Sequence, residues 1–344
     1  MSEPAAPRVN RIGLSILDYR GAKSTLCAGC GHNAISERIL EAMHRMGVPP
    51  ERVAKLSGIG CSSKSPAYFM SRSHAFNTVH GRMPSVATGA ILANRTLRAI
   101  GVSGDGDTGS IGIGQFIHAV RRNVPMIYVI EDNGVYGLTK GQFSATADVG
   151  STHKSGEPNR IPPVDLCALA LDVGATFVAR SVSGDKKQLS ALLEAAVAHH
   201  GAAVLDVISP CVAFNDHEGS TTSYAYVKEH DDPLQELSFV PSFEDITIQY
   251  DPGTATEVTL HDGSRLVLRK LEESWDTSDR ARTLARLAEA RAKGEILTGL
   301  YFLDPAAPSF VELLALDERP LATLPGEAVR PPRSVLEEIM AALR

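Results

Sequence analysis

Four apolar runs, each ending in glycines or small polar residues, alternate with helical patterns along much of the chain. The runs cover 53–60, 98–107, 125–133 and 202–211. Apolar residues recur at helical spacing in 33–47, 85–98 and 186–201, and 165–181 is typical of a helix followed by a further strand. Strands that alternate with helices pair in parallel through right-handed crossovers. The sequence therefore predicts an α/β fold, with a mostly parallel sheet and helices on both of its faces.

Candidate ligands stand where the predicted strands end. In open α/β sheets, ligands bind beyond the carboxyl ends of the strands. The side chains found there are Cys61, Asp105, Asn133 and Cys211. Each of these residues therefore lies where this architecture would place a binding site.

Composition and charge exclude several classes of protein. With 43% hydrophobic and 22% charged residues among 344, the chain has enough apolar material for a large core. A net charge of -6 gives no reason to expect a nucleic-acid partner. No apolar run reaches the length of a membrane helix, and "MSEPAAPRVNRIG" lacks an apolar signal region. We expect a cytoplasmic protein that contacts neither nucleic acid nor membrane.

Two loops that follow neighbouring strands carry a pattern typical of a diphosphate site, "GDGD" (104–107) and "EDNGVYG" (131–137). A Gly-Asp-Gly loop lets its backbone approach a diphosphate, and Asp105 supplies a hard oxygen for Mg²⁺. Asn133 would add its side-chain carbonyl and Val135 its backbone carbonyl. Alone, "GDG" indicates only a turn; with "DN" one helix and one strand later it resembles the thiamine diphosphate fingerprint. The pattern predicts thiamine diphosphate and Mg²⁺, with Asp107 in a supporting role.

The five cysteines point to metal or redox chemistry rather than to a disulfide framework, since their number is odd and no secretion signal is present. The Cys27–Cys30 pair alone is compatible with a redox disulfide, zinc or iron–sulfur. Zinc sites normally join two such pairs, so the isolated Cys61 and Cys211 fit zinc poorly. Four thiolates can hold a [4Fe–4S] cluster. Cys167, inside an apolar helical pattern, is typical of a buried small hydrophobic residue.

The order of the motifs resembles the β subunit of the 2-oxoacid:ferredoxin oxidoreductases over about residues 20–215. The motifs are "CAGCGH", "GIGCSS", "HGR", "GDGD", "RRN", "DNGVYGLTKGQFSAT" and "SPC". The resemblance implies a thiamine diphosphate-binding fold with Mg²⁺ and one [4Fe–4S] cluster, ligated by Cys27, Cys30, Cys61 and Cys211. One departure is visible: the family usually has Trp and Pro around the first cysteine, where this chain has Leu26 and Ala28.

The resemblance also implies where the cofactors sit along the chain. Residues 1–240 are expected to form the domain that binds thiamine diphosphate, Mg²⁺ and the [4Fe–4S] cluster. The residues expected to contact the thiamine cofactor are His32, Gly60, Ser62, His80, Gly104, Asp105, Gly106, Asn133, Val135, Gly137, Leu138 and Thr139. Residues 241–344 are expected to form a C-terminal arm with a hairpin turning at Asp262–Gly263, a polar helix over 278–295, an extended tail and a short final helix.

The implied reaction is the CoA-acylating oxidative decarboxylation of a 2-oxoacid, or its reductive reverse, with electrons passing through the cluster to ferredoxin. No residue of the chain can be assigned as the glutamate that activates the aminopyrimidine. The family supplies that glutamate from an α subunit, so we expect an αβ dimer of dimers that is active only as a complex. Two alternatives stay open at this point: a cluster-free decarboxylase or carboligase, and a noncatalytic electron-transfer subunit.

Lys64 and Lys140 lie close in sequence to the expected cofactor contacts, and many pyruvate-type relatives have glycine at the second position. A lysine buried beside the cofactor is costly without an anion. The distal carboxylate of a dicarboxylic substrate supplies that anion. We therefore predict that these two lysines bind the substrate carboxylate and that the substrate is 2-oxoglutarate, with pyruvate as the alternative.

Overall fold

A computed structural model describes residues 9–151, 157–212, 245–260 and 265–343. Its strands are β1 (Val53–Ser57), β2 (His74–Asn77), β3 (Arg98–Gly104), β4 (Met126–Asp132), β5 (Val135–Tyr136), β6 (Gln142–Phe143), β7 (Phe177–Val182), β8 (Ala203–Ile208), β9 (Ala255–Thr259), β10 (Arg265–Lys270) and β11 (Glu295–Leu303). Nine of them form one sheet in the order β2-β1-β3-β4-β8-β7-β11-β10-β9. The pairs from β2 to β7 are parallel, and β5 and β6 form a separate antiparallel hairpin.

The helices of the described residues are α1 (Gly31–Arg45), α2 (Met83–Ala93), α3 (Ile113–Arg121), α4 (Leu166–Asp172), α5 (Lys186–Ala198), α6 (Arg280–Ala292), α7 (Phe310–Leu313), α8 (Gly326–Val329) and α9 (Arg333–Ala342). Short 3-10 turns occupy Ile16–Tyr19, Pro50–Arg52, Cys61–Ala67 and Leu321–Thr323, and Asp107–Ile111 is a π-helical turn. Aspartate caps define three helix starts, because Asp165, Asp185 and Asp279 accept hydrogen bonds from first-turn N–H groups. Within the described ranges, no helix combines the length and apolar character needed to cross a bilayer.

The interior strand β4 is buried along its whole length, and its alternate side chains face two different cores. Tyr128 and Ile130 pack in a core that includes residues of α2, α3 and α4. Ile127 and Val129 pack in a second core, with residues of α1 and α5. Helices therefore cover both faces of a mostly parallel sheet, and the predicted fold class is confirmed. The carboxyl ends of β1, β3 and β4 lie next to one another at one edge.

The C-terminal part of the chain extends this sheet. Strand β11 pairs antiparallel with β7, and its Tyr301 and Phe302 join the first core. Strands β9 and β10 form the antiparallel pair that the sequence predicts, although the turn at Asp262–Gly263 lies outside the described residues, as does the boundary expected at 240. The tail beyond α7 is almost entirely exposed.

Candidate functional site

A pocket opens at the carboxyl ends of β1, β3 and β4, where ligands bind in open α/β sheets. Its lining residues are His32, Ile59, Gly60, Cys61, Ser62, His80, Gly104, Asp105, Gly106, Asp107, Glu131, Asn133, Val135, Tyr136, Gly137, Leu138 and Thr139. Every residue that the sequence places against the cofactor is in this set. The structure therefore brings segments from widely separated parts of the chain to one edge of the sheet.

The Gly-Asp-Gly loop after β3 is shaped by an aromatic ring. Tyr136 packs on Gly106, where an added Cβ would lie 2.5 Å from the ring. The Tyr136 hydroxyl donates to the backbone carbonyl of Gly106 at 2.9 Å. Position 104 is also close-packed, since a Cβ there would lie 3.3 Å from the Ser62 hydroxyl. Residue 106 must therefore be glycine, which keeps the backbone accessible to a ligand from the pocket side.

Asp105 is 1% exposed and lies at the base of the pocket. Its Oδ2 accepts hydrogen bonds from the hydroxyls of Ser144 and Thr146, the latter at 2.6 Å. Burial raises the pKa of Asp105, while these hydroxyls and the backbone N–H of Asn133 oppose the rise. A divalent cation at this position would favour the ionised carboxylate, because its charge dominates the local field.

The donor set fits Mg²⁺ only together with a bound phosphate. The side-chain carbonyl of Asn133 accepts from Val135 N–H at 3.1 Å and keeps a second lone pair. No three His, Cys, Asp or Glu side chains in the described part of the chain are arranged to hold a metal ion by themselves. Mg²⁺ is usually bound by one or two carboxylates plus substrate phosphates and waters. Asp105, Asn133 and the Val135 carbonyl meet that description.

Thr146 joins two buried carboxyl groups. Its hydroxyl lies 2.6 Å from Oδ2 of Asp105 and 2.7 Å from Oδ1 of Asp132. One hydroxyl carries one proton, so only one of these contacts can be a donation from Thr146. Burial, with added repulsion from Asp105 and Asp206, raises the pKa of Asp132 well above its ordinary value. A protonated Asp132 that donates to Thr146, which in turn donates to Asp105, satisfies all three groups.

His80 reaches the pocket from the loop after β2, held by the Asp107 carboxylate. Oδ1 of Asp107 contacts Nδ1 of His80 and accepts from Gly81 N–H at 2.9 Å, and its Oδ2 accepts from the Ser103 hydroxyl at 2.8 Å. An acceptor at Nδ1 places the ring proton there and leaves Nε2 as the free ring nitrogen. Asp107 is therefore placed to orient the His80 ring.

Replacing Asp107 by Asn is expected to lower kcat of the assembled enzyme by about 10-fold to 100-fold, as for other partners that orient functional imidazoles. The amide lacks the charge that fixes the imidazole tautomer. Ser103→Ala is the matched control, because it removes a donor to the same carboxylate and leaves the His80 contact in place. Steady-state kinetics of both variants check this expectation, and equal activities would contradict it.

Electrostatic interactions link the four predicted cluster ligands in pairs, although no three of them are arranged to hold a metal ion in the described part of the chain. Cys30 immediately precedes α1, Cys61 begins the 3-10 turn after β1, and Cys211 follows β8. Burial raises the pKa of the Cys30 thiol, and the neighbouring Glu131, Cys211 and Cys27 add to the rise. Burial likewise raises the pKa of Cys61, which also interacts with Lys64 and Cys27. Cys167 is buried in the first core, as its sequence context indicates.

A buried pair, His32 and Glu131, lies where the pocket meets these thiols. Nδ1 of His32 lies 2.8 Å from the Ser209 hydroxyl, and Nε2 lies 3.5 Å from Glu131. Glu131 is fully buried and accepts from the Ser65 hydroxyl at 2.8 Å. Burial lowers the pKa of His32 to about 4 and raises that of Glu131 well above its ordinary value. His32 is thus neutral at pH 7, and the contact is not an ion pair.

The two predicted substrate lysines are close to the pocket in sequence but are not among its lining residues. Lys64 is half-buried in the 3-10 turn Cys61–Ala67, and its charge opposes the rise in the pKa of Cys61. Lys140 is exposed at the tip of the β5–β6 hairpin, with φ of +79°.

Sequence reasoning missed Glu131, Tyr136, Ser144 and Thr146 as parts of the site. For Glu131 a signal was present, since an acidic residue ends the otherwise apolar run "MIYVI". Tyr136, Ser144 and Thr146 stand inside the quoted motif "DNGVYGLTKGQFSAT", whose first residues alone were assigned roles.

Comparisons with known proteins identify the domain that contains this pocket. Residues 58–207 match the family "Thiamine pyrophosphate enzyme, C-terminal TPP binding domain". A 2-oxoacid:ferredoxin oxidoreductase subunit beta from Sulfolobus sp is 44% identical over 55% of this chain and 63% of its own. The 2-oxoglutarate oxidoreductase subunit KorB of Mycobacterium tuberculosis is 41% identical over 55% of this chain and 51% of its own. These two matches thus span less than two thirds of each relative.

Two further comparisons cover most of the chain. A solved structure of 2-oxoglutarate:ferredoxin oxidoreductase from Magnetococcus marinus, with 2-oxoglutarate, coenzyme A and succinyl-CoA bound, superposes with a TM-score of 0.72 at 29% identity, covering 94% of this chain and 95% of that one. The 2-oxoacid:ferredoxin oxidoreductase 1, subunit beta of Aeropyrum pernix is 35% identical over 85% of this chain and 81% of its own. With that extent of identity, and with a thiamine-type pocket at the expected strand ends, the chain belongs to the family of 2-oxoacid:ferredoxin oxidoreductase β subunits.

Proposed function

We propose that this chain is the cofactor-binding β subunit of an enzyme that converts 2-oxoglutarate and coenzyme A to succinyl-CoA and CO₂, or runs the reverse reductive carboxylation. The observation that carries the proposal is the pocket in which the Gly-Asp-Gly loop and Asn133 meet at adjacent strand ends. That pocket lies within the segment that matches the thiamine pyrophosphate domain family. The Magnetococcus marinus relative, whose structure contains 2-oxoglutarate and coenzyme A, supports the choice of reaction.

The residues of the pocket have distinct tasks in this proposal. Asp105, Asn133 and the Val135 carbonyl would hold Mg²⁺, and the open backbone at Gly104 and Gly106 would accommodate a diphosphate. When bound, thiamine diphosphate supplies the electron sink for decarboxylation, and an iron–sulfur cluster accepts electrons one at a time.

Cys27, Cys30, Cys61 and Cys211 would hold a [4Fe–4S] cluster. The proposal is supported by their mutual electrostatic interactions and by Cys61, which belongs both to the group of thiols and to the pocket lining. Ser62, which follows Cys61 and whose hydroxyl lies near Gly104, would stand between the two sites. An enzyme with a thiamine site and no cluster is the competing function; zinc or no metal in anaerobically purified protein would favour it.

The partners belong to the same proposal. Glu131 is the glutamate that lines the pocket in the described part of the chain, and it is engaged by Ser65 and faces His32. It is therefore not free to activate an aminopyrimidine, and an α subunit would supply that glutamate in an αβ dimer of dimers. Ferredoxin would receive the electrons.

Backbone geometry supports Lys140 as a substrate-binding residue. A left-handed conformation costs a non-glycine residue about 1–2 kcal/mol, and Lys140 has φ of +79°. Glycine would be the more stable residue there, so a functional side chain would explain a lysine. Lys140 would bind the distal carboxylate of 2-oxoglutarate, together with Lys64.

Lys140→Gln is expected to lower kcat/KM for 2-oxoglutarate by about 10-fold to 100-fold, since a hydrogen bond to a charged group contributes about 1.5–3 kcal/mol. The value for pyruvate, which has no distal carboxylate, should change little. Lys140→Gly tests the same loss of charge with the backbone strain removed, and Lys140→Arg keeps the charge. Viologen reduction by the αβ complex with each acid is the measurement. Equal losses with the two substrates would argue against this role.

The overall proposal is tested by co-expressing the chain with its α subunit and purifying the complex without oxygen. We expect bound thiamine diphosphate, iron and CoA-dependent reduction of viologen with 2-oxoglutarate. Absence of thiamine diphosphate at full iron content would instead establish a noncatalytic electron-transfer subunit, and better turnover with pyruvate would overturn the substrate assignment.

A further inference from the structure

The segment that follows the β5–β6 hairpin returns to the base of the pocket. The hairpin leaves the sheet edge at Asn133 and carries Lys140 near its tip. It closes where Ser144 N–H donates to the Gly134 carbonyl at 3.1 Å. Residues 144–146, "SAT", then lie against the Gly-Asp-Gly loop, far from it in sequence.

Both hydroxyls of this segment act on the same oxygen of Asp105. Ser144 and Thr146 donate to Oδ2, with Thr146 at 2.6 Å, and the two hydroxyls lie 3.1 Å from each other. Among the described residues, no hydroxyl group is seen to donate to the other carboxylate oxygen, Oδ1 of Asp105. Rotation of the carboxylate is thus restrained, because two donors hold one of its oxygens.

The two hydroxyls set the orientation of a buried side chain. Asp105 is 1% exposed, and both hydroxyls hold its Oδ2. The other oxygen, Oδ1, would then be presented to a metal ion, and residues that orient a ligand in this way affect metal affinity. Loss of a hydroxyl would therefore weaken metal binding even though the residue never touches the metal.

We propose that Ser144 and Thr146 are positioning residues for Asp105, which orient its carboxylate toward the metal and tie the metal site to the hairpin that carries Lys140. The inference rests on the proposed thiamine diphosphate and magnesium site. It assigns a role to residues 144–146, the "SAT" end of the motif, which lie outside the residues expected to contact the cofactor.

The test compares Thr146→Val, which removes the hydroxyl at nearly constant shape, with Thr146→Ser, which keeps it. Mg²⁺ affinity of the αβ complex is measured by titration at saturating thiamine diphosphate. Thr146→Val is expected to bind Mg²⁺ about 10-fold to 100-fold more weakly, as for other residues that orient metal ligands. Thr146→Ser should stay within about 3-fold of the natural protein, because its hydroxyl conserves the donation that orients the ligand. Ser144→Ala should weaken binding in the same direction.

Thr283→Val is the control for loss of a buried threonine hydroxyl. Thr283 is 1% exposed and its hydroxyl donates to Asp279 O at 2.7 Å within α6. This variant should lose thermal stability and keep its Mg²⁺ affinity. Unchanged Mg²⁺ affinity in Thr146→Val, or equal losses in the Val and Ser variants, would overturn the inference. A natural complex that binds neither Mg²⁺ nor thiamine diphosphate would instead defeat the proposed function itself.

Discussion

Asp105→Asn is expected to abolish Mg²⁺-dependent retention of thiamine diphosphate and to lower the activity of the assembled enzyme by about 10³-fold or more. The amide keeps the shape of the side chain but removes the negative charge, and Mg²⁺ binds through hard, charged oxygens. The other ligands expected from this chain are neutral carbonyl groups of Asn133 and Val135. Among the ligands expected from the described residues, Asp105 is therefore the single anionic one.

The same substitution is expected to stabilise the protein when cofactor and metal are withheld. A buried carboxyl whose pKa is raised in the folded state binds its proton more tightly there than when unfolded. The free energy of unfolding therefore falls as the pH rises from the ordinary carboxyl pKa of the unfolded chain to the raised pKa of the folded chain. Asn cannot ionise, so Asp105→Asn should unfold at a higher temperature than the natural chain at pH 7 without Mg²⁺. Added Mg²⁺ and thiamine diphosphate should reverse that order.

Two measurements on one pair of proteins decide this prediction: thiamine diphosphate retained after gel filtration with Mg²⁺, and the midpoint of thermal unfolding with and without the ligands. Asp172→Asn, at an exposed position on α4, controls for the loss of a carboxylate elsewhere. Full retention of the cofactor by Asp105→Asn would remove this residue from the metal site.

The positions of the ligands along the chain could be predicted because the signals are local. Each buried strand appears as a short apolar run, and the residue after it is fixed in space by the sheet. The runs at 98–107 and 125–133 correspond to β3 and β4, so Asp105 and Asn133 become neighbours as soon as those strands pair. No long-range information is needed for that step.

Contacts between distant segments could not be predicted in the same way. Thr146 reaches Asp105 only because the β5–β6 hairpin turns back over the pocket. Strand β11 joins the parallel sheet in antiparallel orientation, which the alternation of strands and helices does not indicate. The edge strand β2 has four exposed residues, so no apolar run marks it. In each case packing between distant segments decides the structure. The periodicity of apolar residues within one segment does not predict such contacts.

Cys61→Ala is expected to remove the [4Fe–4S] cluster and with it all measurable reduction of ferredoxin or viologen, while thiamine diphosphate stays bound. Three thiolates leave one iron of a four-iron cluster without its protein ligand. Cys61 is the most informative of the four, because it lines the pocket and also interacts with Lys64 and Cys27. A change there tests whether the cluster and the thiamine site are adjacent but separable.

Cys167→Ala supplies the matched control, since it removes a thiol of the same chain from the apolar core. Iron per chain, the broad visible absorbance of such clusters and the electron paramagnetic resonance of the reduced protein are the readouts. The natural chain and Cys167→Ala should contain about four irons, and Cys61→Ala should contain few or none.

Burial keeps the Cys30 thiol protonated in the metal-free protein, since its pKa is raised. Cluster assembly must therefore displace that proton, so iron uptake by the natural chain should be faster at higher pH and Cys61→Ala should show no such uptake.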